Sequence, residues 1–342
     1  MDRRLYLVAA AALAVIAGVS VYVAAMTKPG DVSQNSNLTV LANSVPALSA
    51  AKGWINSPPL EPSDLAGKVV LYDFWTYSCI NCQRTLPHLK ALYDRYKGDG
   101  LVIVGIHSPE FDFEKDHGNV QRAVEHYGVT WPVALDDDMT IWNAFNNQYW
   151  PAEYLTDRNG KLRQVRFGEG DYDAKENDVR TLLGVAIDSP RAATTGADLP
   201  PSAAQSPEIH FGLAFGGNQF DSSPEKQAAG TQTYSLPDPV PQNSFALSGQ
   251  WNTTDQDIEA GTADSVMVLR YQGGEVNLVA GATTATTVTV ELDGKPLTTI
   301  DVQQHDLYRV IEGGPSGFHT LTFHTQAAGL QLFAFTFGAG AK

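Results

Sequence analysis

An α/β domain followed by an all-β sandwich is the fold class that this 342-residue sequence predicts. Two observations point to it. Up to about residue 187, apolar runs of strand length alternate with helix-period patterns. Beyond about residue 207 the helical period disappears, and short β-rich runs follow one another between turn signals. A third observation locates the chemistry: the chain has two cysteines, three positions apart, just after a strand-like run.

Residues 5–26 form an apolar run without a charge, preceded by Arg3 and Arg4. The run is long enough to span a bilayer, and basic residues ahead of it favour a cytoplasmic N-terminus. We expect residues 1–26 to be a membrane anchor, with a cleaved signal peptide as the alternative, since small residues at 23–25 offer a cleavage site. Either way the rest of the chain is exported to a compartment where disulfides persist. Residues 27–52 are polar and read as a spacer. Val69–Trp75 is apolar, β-branched and aromatic with one acid, the pattern of a strand buried on both faces. Leu86, Leu89, Leu92, Tyr93 and Tyr96 then recur at steps of three and four, an amphipathic helix, and 101–106 is a second buried strand. Helices are expected at 119–127, 138–145 and 173–183, a strand at 131–135, and a hairpin at 155–167 around Asp-Arg-Asn-Gly. These elements make residues 53–187 one domain. Residues 188–206, rich in Ala, Pro, Thr and Ser, read as a linker. Residues 207–342 hold runs at 265–271, 275–280, 286–292, 297–302, 308–311, 317–324 and 331–337, which together predict the sandwich.

The cysteines read Cys79-Ile80-Asn81-Cys82. A disulfide across so short a loop stabilises little, because the effect grows with loop length. The spacing suits a switch between dithiol and disulfide, in which one sulfur attacks and the other resolves the mixed disulfide. The order strand, C-x-x-C, helix places Cys79 at a helix N-terminus, where free N–H groups and the dipole favour an anion. Cys82 falls one turn inward. Cys79 is therefore the expected attacking thiol and Cys82 the resolving one.

The stretch Asp73-Phe-Trp-x-x-x-Cys79-x-x-Cys82, with Pro87 inside the helix, resembles thioredoxin. It is more similar to extracytoplasmic thioredoxin-like proteins of the TlpA/ResA type. Phe-Trp-Thr-Tyr-Ser-Cys-Ile-Asn-Cys at 74–82 is nearly a signature of the extracytoplasmic thioredoxin-like region of DipZ-type proteins. The likeness continues at 105–110, 150–155 and 168–172 and covers residues 54–184 well. More faintly, the C-terminal region resembles the carbohydrate-binding-module-like domain of the same proteins.

The resemblance implies a thioredoxin fold and roles for individual residues. Asp73 takes the place of the buried acid that assists proton transfer to the resolving thiol. Pro151 takes that of the cis-proline facing the disulfide, and Pro87 that of the helix proline. It implies an extracytoplasmic thiol–disulfide oxidoreductase that reduces disulfides of exported proteins. Its substrates would be protein thiols and disulfides, with no cofactor, and a separate membrane electron donor would serve the reductive direction. One departure matters: the family's usual Trp-Cys-x-Pro-Cys is Ser78-Cys-Ile-Asn-Cys82 here, so the direction of electron flow stays open.

Other readings compete with this one. A structural zinc site needs four ligands, and only His88 stands near the pair, so no metal is expected. His88 itself reads as a surface residue. His107, Glu110 and Glu169 read as loop structure near the site, and Asp136 to Asp138 as a solvated turn and helix cap. The net charge of −15 excludes nucleic acid as a partner. The alternative function is a surface binding protein whose sandwich recognises a glycan or a protein ligand. Trp251, Tyr271 and Tyr308 are aromatic candidates for that face, indistinguishable in sequence from core residues.

Overall fold

The computed structural model describes residues 38–186, 191–192, 205–315 and 317–338. The expected anchor or signal segment, and all but four residues of the expected linker, lie outside these. Among the described residues no helix is long and apolar enough to cross a membrane.

The first half is an α/β layer structure. Its strands are β1 (Gly53–Ile55), β2 (Val69–Trp75), β3 (Leu101–His107), β4 (Val133–Leu135), β5 (Ala152–Thr156) and β6 (Leu162–Phe167). They form one sheet in the order β1-β4-β3-β2-β5-β6. β2 pairs in parallel with β3 and antiparallel with β5, so it lies in the middle, and all seven of its residues are buried. Alternation along β2 splits the core in two. Val69, Leu71 and Trp75 pack against α1 (Ile80–Tyr96), α2 (His117–Tyr127) and α4 (Tyr172–Leu183). Val70, Tyr72 and Phe74 pack against Ile141 and Trp142 of the short α3 (Thr140–Ala144). Part of the expected spacer belongs to this half: Leu48 is buried in the second cluster, and the Lys52 amide donates to the Leu135 carbonyl.

The second half is all β: β7 (Ile209–His210), β8 (Gly230–Tyr234), β9 (Ser244–Thr253), β10 (Ile258–Ala260), β11 (Val266–Gln272) and β12 (Glu275–Ala282). It continues with β13 (Thr286–Leu292), β14 (Lys295–Val302), β15 (Asp306–Ile311), β16 (Phe318–Thr325) and β17 (Leu330–Gly338). These eleven strands form one antiparallel network. β9 carries the chain around its corner, pairing with β11 through residues 244–248 and with β10 through 251–253. Between them Gly249 sits at φ +84°, a backbone state that side chains with a Cβ seldom adopt.

All seven expected strands of this half are present, and β7 to β10 are additional. β7 and β10 are too short to carry a period, β8 is polar, and the Ser-Gly-Gln corner interrupts the alternation of β9. Trp251 and Tyr271 lie fully buried in the sandwich core, and Tyr308 packs against it.

The two halves meet through aromatic rings. Phe111 and Phe113, in the loop after β3, stack at 5.5 Å and meet Phe333 of β17 at 5.3 and 4.7 Å. Phe111 is 1% exposed. Phe111→Ala should therefore leave a cavity at this junction and destabilise the protein by about 3–5 kcal/mol. Urea denaturation would register this as a lower midpoint; an unchanged midpoint would show that the junction contributes nothing to stability.

Candidate active site

β2 ends at Trp75, and a tight turn through Thr76, Tyr77 and Ser78 delivers Cys79 to the start of α1. Cys79 is the N-cap residue, and the Cys82 amide donates to its Sγ at 3.3 Å. Both cysteines are free; Cys79 is partly exposed and Cys82 is buried. Burial pushes the Cys82 thiol well above its ordinary pKa, helped by its hydrogen bond with Cys79, and the nearby charge of Asp73 acts in the same direction. Cys82 therefore holds its proton until something takes it.

Asp73 is the nearby group able to do so. It is 1% exposed, and its Oδ1 has no hydrogen-bond partner among the described residues. Burial raises its pKa well above the carboxylate norm; Glu153 raises it further, and Lys175 opposes both. Glu153 is the cross-strand neighbour of Asp73 on β5 and forms a 2.7 Å ion pair with Lys175 of α4. The strand pattern of the sequence placed Asp73 here, but nothing local marked Glu153 or Lys175.

The Trp150–Pro151 peptide is cis and directly precedes β5. Of this pair it is Trp150 that lines the cleft with Cys79, and its indole N–H donates to the Ser108 carbonyl at 3.0 Å. The cleft measures about 430 Å³. Ser78, Cys79, Ile80, Asn81 and Arg84 line it on one side, and Ala334, Thr336 and Gly338 of β17 stand among its lining. Arg84 bonds Glu169 at 3.1 Å and reaches Glu275 of the sandwich at 2.5 Å. Glu110 pairs with His210 of β7 at 2.9 Å. Glu110 and Glu169 thus line the cleft and hold partners, rather than serving only as loop structure.

Three further placements depart from the sequence reading or add to it. His88 is fully buried, with its ring 4.6 Å from that of Tyr172, because α4 covers the face of α1 expected to meet water. Asp136 is buried as well: it accepts the Ile141 and Trp142 amides at 2.8 Å each and the Ser108 hydroxyl at 3.0 Å, so it caps α3 from inside. His107 stacks on Tyr77 at 5.8 Å, and burial pushes its pKa down to about 3, leaving a neutral packing ring. Sequence reasoning missed Glu114. Fully buried, it accepts from the Ser78 hydroxyl at 2.6 Å and from the Glu110 and Phe111 amides at 2.6 and 3.0 Å. It ties the turn before Cys79 to the loop that meets the sandwich. In Phe-Asp-Phe-Glu-Lys at 111–115, no local signal separates it from the exposed charges beside it.

A family model described as AhpC/TSA family matches residues 41–165. Another, described as thioredoxin like C-terminal domain, matches 206–338. Residues 41–165 thus form a thioredoxin-like domain of the AhpC/TSA kind. Protein DipZ of Mycobacterium tuberculosis is 40% identical over 306 residues, covering 86% of this chain and 42% of that protein. Thiol-disulfide oxidoreductase YkuV of Bacillus subtilis is 29% identical over 143 residues, 42% of this chain and 96% of its own. Thiol-disulfide oxidoreductase ResA of Halalkalibacterium halodurans is 30% identical over 109 residues, 32% of this chain and 59% of its own. The chain thus spans less than half the length of the DipZ relative.

Burial raises the Glu114 pKa to about 7, and this sets a direction for stability. The folded state holds the Glu114 proton to higher pH than the unfolded chain does, so stability contributed by this group is lost as pH rises through 7. Between pH 5 and 8 the wild type should lose on the order of 1–3 kcal/mol relative to Glu114→Gln. Unfolding free energies of the two proteins across that range check this; parallel curves would assign the proton elsewhere.

Proposed function

We propose that this chain is an extracytoplasmic thiol–disulfide oxidoreductase that reduces disulfides of exported proteins through Cys79 and Cys82. The thioredoxin-like domain at 41–165 supports the reaction class, and the similar proteins YkuV and ResA carry that activity in their names. The observation that carries the assignment to residues is the pairing of a partly exposed Cys79 at the cap of α1 with a buried Cys82 near a carboxyl of raised pKa. The expected export segment at 1–26 supports the compartment.

The Cys79 thiolate attacks one sulfur of the substrate disulfide, and the other substrate sulfur leaves as a thiolate and takes a proton. Asp73, as carboxylate, accepts the Cys82 proton. The Cys82 thiolate then attacks Cys79 Sγ, which breaks the mixed disulfide and releases the second substrate thiol. Two electrons have passed to the substrate, and the chain keeps the Cys79–Cys82 disulfide. A raised Asp73 pKa suits a group that must both take and return this proton. Pro151, just behind Trp150, shapes the groove beside Cys79. A separate membrane electron donor would reduce the disulfide again. Run in reverse, the same steps oxidise a dithiol. The alternative, a glycan-binding sandwich on an inert scaffold, loses two aromatic candidates, since Trp251 and Tyr271 are 0% exposed.

Reduction of a disulfide in an unfolded polypeptide tests the reading: Cys79→Ser should abolish it, and Cys82→Ser should accumulate a mixed disulfide with substrate. A wild type inert in every redox buffer would falsify the proposal. Asp73→Asn should slow turnover at neutral pH by roughly a hundredfold, with little change in KM; full activity in that variant would remove Asp73 from the mechanism. Equilibration of the pair with glutathione should give a strongly negative potential, as a reductant requires, and one near that of known oxidants would reverse the direction.

A further inference from the structure

The cleft over Cys79 is not made by the α/β half alone. Its floor comes from the turn before α1 and the first turns of that helix; facing residues are Val279, Ala334 and Thr336 of the sandwich, with Gln205 and Ser206 of the segment that leads into it. Ties on several sides of the cysteine hold this second wall. Two residues before Cys79, the Tyr77 hydroxyl donates to the His305 carbonyl at 3.2 Å. Five residues after it, Arg84 reaches Glu275 at 2.5 Å. In the loop after β3, Glu110 holds His210 at 2.9 Å, and the Phe113 ring lies between His305 at 5.0 Å and Phe333 at 4.7 Å. Ion pairs, a hydrogen bond and buried rings at separate points make the sandwich a fixed wall rather than a swinging lid.

We propose that the sandwich is a substrate selector: it admits a cysteine carried on an extended, unfolded stretch of polypeptide and excludes a disulfide set in the surface of a folded domain. The inference rests on the oxidoreductase reading above and names the substrate class for that site. The physical argument is one of size. A space of about 430 Å³ takes a few residues of a chain. A folded partner docks through a patch of roughly 800 Å² on each side, and the wall stands where that patch would lie. Thr336 and Gln205 are the selecting residues, because each projects from the sandwich side into the lining without belonging to the thiol machinery.

The test uses the full chain and one disulfide in two contexts, a folded protein and a variant of it that cannot fold, each rate normalised to that with dithiothreitol. The wild type should prefer the unfolded context by at least about tenfold in kcat/KM. Thr336→Trp narrows the cleft from the strand, and Gln205→Trp narrows it from an exposed position that tolerates the change. Both variants should lower kcat/KM for the unfolded substrate by at least about tenfold while leaving the equilibrium of the cysteine pair with glutathione unchanged. Equal normalised rates in the two contexts, or activity within about twofold of wild type in both variants, would overturn the selector role. A wild type that neither reduces any disulfide nor equilibrates with glutathione would overturn the oxidoreductase reading, and the selector with it.

Discussion

Placing a carboxyl in the middle strand of a sheet is unfavourable unless the group is paired or kept neutral. β2 nonetheless carries Asp73 at 1% exposure, with one oxygen unpartnered among the described residues. The arrangement persists because the remaining residues of the strand are large and apolar and are gripped by a core cluster on each face. Their burial offsets one strained site. The same strand aims the chain: where β2 ends at Trp75, the turn to Cys79 starts, so the cysteines are positioned by the element that holds the acid. Loosening β2 would disturb Asp73 and the thiols together.

Asp73 does not stand alone in that layer. Glu153 lies across from it on β5, held by Lys175 from α4 at 2.7 Å. The charges of this pair act on Asp73 in opposite directions, the carboxylate raising its pKa and the ammonium lowering it. Desolvation is the largest influence, so the net result is a carboxyl that takes a proton readily. A buried ion pair is seldom a large source of stability, because desolvation cancels most of its attraction. Its presence beside Asp73 is better explained by tuning than by stabilisation.

The α/β half was legible because its signals are local. An apolar run with one acid, a C-x-x-C and a helix-period pattern follow one another within thirty residues, and they placed Asp73, Cys79, Cys82 and the order of the central elements. What was not legible is long-range. Arg84 looks like any exposed helix cation until Glu275 arrives from β12, and Glu110 like a loop acid until His210 arrives from β7. Glu114 is one charge among three in a short segment, and only folding reveals that Ser78 bonds to it. His88 was misread for the same reason: helical spacing gives the face a residue occupies, and α4 covering that face is a fact of tertiary structure.

The attachment of the sandwich also bears on how the Cys79 sulfur is held. Arg84 stands one turn and a half along α1 from Cys79 and lines the same cleft, where a free guanidinium could serve a thiolate. Its charge is instead engaged by Glu169 and Glu275. The donor recorded to Cys79 Sγ is the Cys82 amide at 3.3 Å, a free N–H of the helix start. Support for the sulfur thus comes from backbone that folding fixes in place, while the side-chain cation nearby is used to join the two halves. One helix therefore does two jobs with separate groups: the Cys82 amide faces the Cys79 sulfur, and its first arginine anchors the wall that faces the cleft.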